Sequence, residues 1–431
     1  MAPRVEPVES DEGLPARTDV VVIGGGIIGV STALFLARRG IPTVLCEKGG
    51  IAAEQSGRNW GWCRTMGRDV RELPLAVESL RLWRQMNALV GAETGFREAG
   101  IVYLCGTPAE LATHDGWLAA ARQFQVASRR LGPEEVEQAV PGSAVRWAGA
   151  VQTPNDGRAE PGLAGPAIAA AARRAGATIL TRCAVRGVET RGGRIDAVVT
   201  ERGRIACTAV VLAGGAWSRL FCGNLGIALP TLKILGSVGR TAPLPGGPEV
   251  TAGAANFGFR KRLDGGYTIV QRNANVAEIV PDSFRLFRHF APSWLRNRHE
   301  LRLRVGRRTI AEARLPRRWT LDQLTPFETV RVLDPAPVPK ILEEGRRLLA
   351  RAFPFFRDAV FAERWGGLID VTPDAVPVIG PVAALPGFFI ASGFSGHGFG
   401  IGPGAGRLMA ELVAGDTPVV DPTPFRLERF H

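Results

Sequence analysis

Residues 20–23, Val-Val-Val-Ile, carry no polar alternation and run straight into glycines at 24, 25, 26 and 29. A continuous apolar run of this length reads as a strand buried on both faces, as in the middle of a parallel sheet. Small and apolar residues follow as far as Arg38-Arg39-Gly40 and predict a helix; a second strand spans 42–47 and closes on Glu47. The pattern returns twice. An Ala-rich helix over 161–176 leads into a strand at 177–181 and a polar hairpin broken at Arg191-Gly192-Gly193-Arg194. A wholly apolar strand at 209–213 then ends in Gly214-Gly215-Ala216-Trp217-Ser218. The third return is C-terminal: strand 387–392, a loop over 393–400, and a helix from about Ile401 to Val413.

Between these pieces the texture changes. Residues 65–159 hold two charged amphipathic helices, roughly 75–90 and 107–131, with short strands such as 100–104. Residues 226–359 hold strands near 233–240, 255–261 and 266–272, then an Arg-rich stretch and a helix near 338–352. Parallel-sheet pieces interleaved with hairpin-like strands predict an α/β fold in two domains. A Rossmann-like nucleotide-binding domain is assembled from 1–64, 160–225 and 360–431. An α+β substrate domain with an antiparallel sheet takes 65–159 and 226–359.

The first strand–helix turn gives this scaffold its chemistry. Gly24 makes the tight turn, Gly26 lets the backbone approach a pyrophosphate, and Gly29 lets the helix pack closely on the strand. The helix N-terminus then offers free N–H groups and the positive dipole end to phosphates. Glu47 follows at the distance where a carboxylate accepts hydrogen bonds from a ribose, about 20 residues on. The pattern predicts a dinucleotide site; the alternative is a glycine-rich turn in an unrelated α/β domain.

Composition narrows the choice. At 431 residues and 45% hydrophobic content the chain can bury two substantial cores. Its formal net charge is +12, yet of its 53 basic residues only Lys48, Lys233, Lys261 and Lys340 are lysines. Such a bias looks like coding composition, and no zinc-finger or helix-turn-helix signature accompanies it, so nucleic-acid binding is excluded. A basic surface still favours anionic partners, including acidic substrates and membrane headgroups. The six cysteines (46, 63, 105, 183, 207 and 222) are scattered, which predicts reduced thiols in the cytoplasm and no metal site. Residues 1–18 are polar and acidic, unlike a signal peptide, and the glycines within 20–36 argue against a membrane span.

Further motifs point to a family. Beside 20–29 and Glu47-Lys48 stand Ala53-Glu54-Gln55-Ser56, Asp156-Gly157 with Glu160-Pro161, Pro230-Thr231-Leu232, and Thr372-Pro373-Asp374. The runs 217–221 (Trp-Ser-Arg-Leu-Phe) and 319–328 (Trp-Thr-Leu-Asp-Gln-Leu-Thr-Pro-Phe-Glu) are the more specific ones. On these residues the chain resembles the D-amino-acid oxidase and glycine oxidase superfamily of flavoproteins, and within it most closely the bacterial L-amino-acid deaminases. The resemblance runs essentially from Leu14 to Phe430. It implies a glutathione-reductase-type FAD-binding domain. The third return to the nucleotide sheet points the same way, because FAD is longer than NAD and is usually gripped by several separated segments.

By resemblance, the cofactor contacts include Gly24, Gly26, Ile27, Ile28, Gly29, Glu47, Lys48 and Trp217. Val185 meets the adenine, Ala213 and Gly214 pass the adenosine diphosphate, and Ser56, Arg58 and Asn59 flank the isoalloxazine. The loop from Gly393 through Gly396-His397-Gly398 to Gly400 runs beneath the flavin, and the helix from Ile401 points its N-terminus at the pyrimidine end, where reduced flavin is negative. Cys63 is near the flavin loop in sequence, but the closest resemblance carries FAD non-covalently, and that is expected here.

The resemblance implies FAD-dependent oxidative deamination of an amino acid or N-substituted amino acid, through an imine, to a 2-oxo acid. The alternative is the flavin-bearing subunit of a hetero-oligomeric dehydrogenase of the opine or hydroxyproline type. Such chemistry needs little acid–base apparatus: positioning and desolvation carry most of it. By resemblance Arg272, at the end of strand 266–271, aligns with the family's carboxylate-binding arginine and is the candidate clamp; its guanidinium fork matches a carboxylate bidentately. Trp60, Trp62 and Tyr267 are candidates for the substrate wall, with core packing as the plain alternative for the tryptophans. Where the deaminases carry a polar residue, this chain has Trp62, a departure that puts substrate identity in doubt. His397, between glycines, is a candidate for contact with flavin or substrate; a loop-stabilising role is the alternative.

Residues 284–308 alternate Phe284, Phe287, Phe290, Trp294 and Leu295 with eight arginines and one acid, Glu300. This segment reads either as a lid over the substrate pocket, which is preferred, or as an interfacial element on anionic membrane. The expected electron acceptor is O2 or a membrane quinone, and the expected location is cytoplasmic, with peripheral contact to the inner membrane as an option.

Overall fold

The computed structural model describes residues 2–297 and 301–430. Its nucleotide-type sheet has six strands in the order Val378–Pro381, Phe388–Ser392, Ala209–Leu212, Val20–Ile23, Thr43–Cys46, Thr178–Leu180. The last five run parallel, with Val20 level with both Thr43 and Ala209; Val378–Pro381 is an antiparallel edge. The three apolar runs are thus neighbours. Val20–Ile23 and Ala209–Leu212 are buried along their whole length, which is why neither shows a polar alternation.

One face is covered by helices Ile27–Ala37, Pro161–Arg174 and Gly398–Ala414. Gly402 and Gly406 form the contact stripe of the C-terminal helix: a Cβ there would lie 2.9 Å from Ile27 and 2.3 Å from Ser31. That close approach lets the helix start at Gly398, one turn before the expected Ile401, although its glycines read as breakers. The other face carries the antiparallel sheet Val185–Arg191, Arg194–Thr200 and Gly203–Ala206, packed with Trp217, Phe221, Trp319 and Phe327.

A ten-stranded, mainly antiparallel sheet forms the second layer. Its longest pairing joins Leu232–Thr241 to Phe361–Val371, and helix Pro339–Ala352 covers one face. The domain boundaries therefore shift. Residues 361–371, assigned above to the nucleotide domain, belong to this second sheet. Helix Leu73–Val90, assigned to the substrate domain, buries Leu75, Leu80, Trp83 and Met86 in the core beneath the nucleotide sheet. Amphipathic spacing announces a buried face but not which core receives it. The expected helix over 107–131 is also broken, into Pro108–Ala112 and Asp115–Arg122, and the chain then turns at Gln125 (φ 58°) to add strand Arg129–Leu131.

Among the described residues no helix is long and apolar enough to cross a membrane, and no His, Cys, Asp and Glu side chains are grouped to hold a metal ion. All six cysteines are free and buried.

Candidate active site

A cavity of about 470 Å³ opens at the carboxyl ends of Val20–Ile23, Thr43–Cys46 and Ala209–Leu212 and reaches the underside of the ten-stranded sheet. Gly24, Gly26, Ile27, Ile28, Glu47, Lys48, Ser56, Arg58, Asn59, Val185, Ala213, Gly214, Trp217, Gly396, His397, Gly398 and Gly400 all border it, as do Trp60, Trp62 and Arg272. Segments far apart in sequence are thus gathered on one wall.

At the nucleotide end the three glycines do different work. Gly24 has φ 111°, and a Cβ on it would lie 2.4 Å from Ala213 O; a Cβ on Gly29 would lie 1.9 Å from Gly24 O. Both positions are closed by the protein's own backbone, and Gly29 itself does not border the cavity. A Cβ on Gly26 would meet only Ser56 Oγ, at 3.0 Å, and otherwise enter the cavity. Ser56 Oγ in turn accepts the Ile27 N–H at 2.8 Å, where the helix begins. Glu47 accepts the N–H groups of Gly25 (2.7 Å) and Gly49 (2.6 Å), and burial pushes its carboxyl above the ordinary value in spite of them. Each carboxylate oxygen keeps a further lone pair for a ribose hydroxyl.

Other predicted contacts are braces. The Lys48 ammonium is spent on Glu54 (2.7 Å) and the carbonyls of Val330 and Arg331, and lies 4.6 Å from the Trp217 ring centroid. Trp217 Nε1 donates to Glu54 as well. Asn59 ties Ser56 O to the Gly61 N–H. Gly393 (φ 75°) stands behind the wall and donates its N–H to Asp370 at 2.7 Å, and Ile401 is buried among helices. Arg58 donates to Ala53 O, Gly366 O and Asp334 but leaves Nη2 unbonded. An open cradle at Gly26, a ribose acceptor at Glu47 and this free donor suit FAD: Glu47 would take the ribose, Gly26 and Ile27 the pyrophosphate, and Ser56, Arg58 and the 396–400 loop the ring system.

The far end is aromatic and cationic. Trp60 and Trp62 pack edge-on with centroids 5.5 Å apart, and Tyr103 lies 6.2 Å from Trp62. The Arg272 guanidinium sits 4.4 Å from the Tyr103 centroid and 5.9 Å from that of Trp62, with Nη1 donating to Ala254 O. Tyr267 is corrected: it is fully buried against Phe259 and Phe356, its hydroxyl bonds Pro248 O, and it does not border the cavity. Strand Tyr267–Val270 ends before Arg272, so the two side chains are not held on one face by strand alternation.

His397 caps the C-terminal helix, and its Nε2 lies 2.8 Å from Glu72 Oε1. Burial, reinforced by the nearby Arg68 charge, outweighs Glu72 and holds His397 below the usual imidazole range, so the ring is neutral near pH 7. Sequence reasoning missed Glu72, Arg64, Arg68, Tyr103, Gln271 and Asp370. No local pattern marks them. The Asp156 and Glu160 motif proves structural: Asp156 accepts from Thr65 and Met66, and Glu160 forms a buried fork with Arg260 (2.7 and 3.1 Å).

None of 284–296 or 301–308 borders the cavity, against the preferred lid reading. Phe284, Phe287, Leu295, Leu303 and Val305 are instead exposed; Glu300 lies outside the described residues.

Comparison with known proteins agrees with this architecture. A family described as FAD-dependent oxidoreductase (DAO) matches residues 19–412. The structure of L-amino acid deaminase from Proteus myxofaciens, in complex with anthranilate, is 36% identical and superposes with a TM-score of 0.96 over 100% of this chain and 98% of that one. L-amino acid deaminase from Proteus vulgaris is 32% identical, with a TM-score of 0.94 over 98% of this chain and 100% of that one. A sarcosine oxidase subunit beta from Arthrobacter is 26% identical over 96% of this chain and 91% of its own length.

Proposed function

Because the chain belongs to the DAO family of FAD-dependent oxidoreductases, we propose that it oxidatively deaminates an amino acid or N-substituted amino acid. The substrate gives up its α-hydrogen with the C–H electron pair and one N–H proton, leaving an imine; water adds to C=N, and a 2-oxo acid and the amine depart. When bound, FAD supplies the acceptor for the two electrons.

The single observation that carries this reading is Arg272: it borders the cavity beside two tryptophans and has no carboxylate partner among the described residues. An unpaired guanidinium at the edge of an apolar pocket is costly unless a ligand anion completes it. Arg272 binds the carboxylate, Trp60 and Trp62 exclude water, and neutral His397 holds no charge against a substrate ammonium. A panel of L- and D-amino acids, opines and N-methyl amines tests this by anaerobic bleaching of the flavin; no bleaching by any carboxylate-bearing amine refutes it.

Binding of FAD is read as non-covalent. Cys63 does not border the cavity, burial raises its thiol well above the ordinary range, and His397 is tied to Glu72. Heat or acid is expected to release all the FAD into the supernatant; yellow colour in the precipitate contradicts this. Glu47→Ala is expected to weaken FAD binding about tenfold or more while leaving flavin reduction at full occupancy unchanged, because a charged acceptor of ribose hydrogen bonds contributes about 1.5–3 kcal/mol and touches no reacting atom. Titration of the apoprotein with FAD, followed by single-turnover reduction, checks both halves.

The exposed aromatics and arginines of 284–297 and 301–308 support peripheral contact with anionic membrane and a quinone as electron acceptor, with O2 as the alternative. Sedimentation with vesicles containing anionic lipid is expected, and is expected to fall when Phe284 and Phe287 are replaced by Ser. Free, buried cysteines are compatible with a reducing, cytoplasmic setting. The full-length likeness to a protein named as a subunit favours one further reading, in which partner chains are needed for activity. Co-purification of partners with the active protein separates it from a lone enzyme.

A further inference from the structure

The cavity wall around Arg272 holds more positive charge than one carboxylate uses. Arg64 and Arg68 border the same cavity. Arg68 is only 7% exposed, and its Nε and Nη1 are buried without a hydrogen-bond partner. Arg64 donates to Met66 O, and its guanidinium lies 5.6 Å from the centroid of Tyr103, the ring that Arg272 covers from 4.4 Å. Among the described residues none of the three forms an ion pair.

The carboxylates at hand are already engaged. Asp156 accepts the Thr65 N–H (2.7 Å), the Thr65 hydroxyl (2.8 Å) and the Met66 N–H (3.1 Å). Glu72 bonds His397. The surplus registers on its neighbours: burial, then Arg68 and Arg272, pull Arg64 down to about 10. Burial would raise the Tyr103 hydroxyl, yet Arg64, Arg272 and Arg68 together hold it below its ordinary value. A buried guanidinium left with unbonded donors, as at Arg68, is strongly unfavourable, so the complement has to arrive with the ligand.

We infer that the site takes a substrate with two carboxylates, one held by Arg272 beside the amine and the second held by Arg64 and Arg68 across the Tyr103 ring. Planar forks stacked on an aromatic face are suited to carboxylate oxygens and poorly satisfied by a neutral amide. The second carboxylate sits either on the side chain, as in aspartate or glutamate, or on the nitrogen substituent, as in an N-carboxyalkyl amino acid. This inference rests on the amino-acid reading above.

The test uses the purified holoenzyme and matched pairs differing only in acid against amide: glutamate and glutamine, aspartate and asparagine in both enantiomers, and N-carboxymethylalanine with its carboxamide. The second-order rate constant for anaerobic flavin bleaching is expected to favour the diacid by roughly 100-fold or more, as for sites whose buried polar groups a wrong substrate leaves unpaired. The pair that shows the gap locates the second carboxylate. Arg68→Gln and, separately, Arg64→Gln are expected to shrink that ratio to a few-fold in variants with full flavin content. Glutarate and glutaramate, titrated on the oxidised enzyme and read by the flavin spectrum, give a measure independent of turnover, with glutarate expected to bind far more tightly. Equal bleaching by acid and amide, with a monocarboxylate amino acid such as leucine as fast as either, overturns the inference and leaves the deamination reading intact. Failure of every amino acid to bleach the flavin refutes that reading instead, and the glutarate titration still decides the pocket: equal binding of glutarate and glutaramate overturns the inference. An unchanged acid-to-amide ratio in Arg68→Gln with a shifted flavin potential assigns the cluster to the cofactor and overturns it as well.

Discussion

Gly26→Val is expected to give a folded, colourless protein. The space beside Gly26 belongs to the cavity, since an added Cβ meets no protein atom but Ser56 Oγ, at 3.0 Å. The branched side chain therefore costs the apoprotein little and fills the volume needed by the pyrophosphate. Gly29→Val should behave differently, because its Cβ is placed 1.9 Å from the Gly24 carbonyl oxygen and helix and strand cannot keep their contact. Flavin-to-protein absorbance ratios and thermal melts of the two apoproteins make the comparison. Stoichiometric FAD in Gly26→Val would show that the cofactor does not pass over this turn.

Arg272→Ala is expected to cost about 3 kcal/mol or more of amino-acid binding in the transition state, a hundredfold or greater loss, in line with truncating one partner of a buried charge pair. The loss should fall on substrates that bear a carboxylate and be small for an amine without one. Arg272→Lys should recover only part of it, since a point charge offers neither the fork nor the stacked plane that now lies 4.4 Å from Tyr103. Flavin bleaching as a function of substrate concentration measures both. An unchanged dependence in the Ala variant removes Arg272 from the site.

The parallel sheet and the nucleotide wall were legible because their signals are local: an apolar run, a glycine spacing, an acid at a strand end. The substrate end was not. Arg68 differs from its exposed counterparts only in where the chain folds back over it, and no spacing distinguishes it from the many arginines that surround it in sequence. Glu72 finds His397 across 325 residues of sequence. Tyr267 was misplaced for a related reason: a strand position near Arg272 says nothing about which layer its side chain enters, and the aromatic cluster with Phe259 and Phe356 claimed it. Helix Leu73–Val90 shows the same limit at the scale of an element, since its apolar stripe could have served either core.

The carbonyl of Gly400 receives both the Ser79 hydroxyl and the Trp83 indole N–H, each at 2.8 Å. One backbone oxygen thus holds two side chains from the middle of helix Leu73–Val90, and strand Phe388–Ser392 pairs beside Ala209–Leu212 to complete the sheet. The carbonyl that anchors helix Leu73–Val90 belongs to the loop that borders the cavity, and a chain cut before residue 388 is expected to retain no FAD.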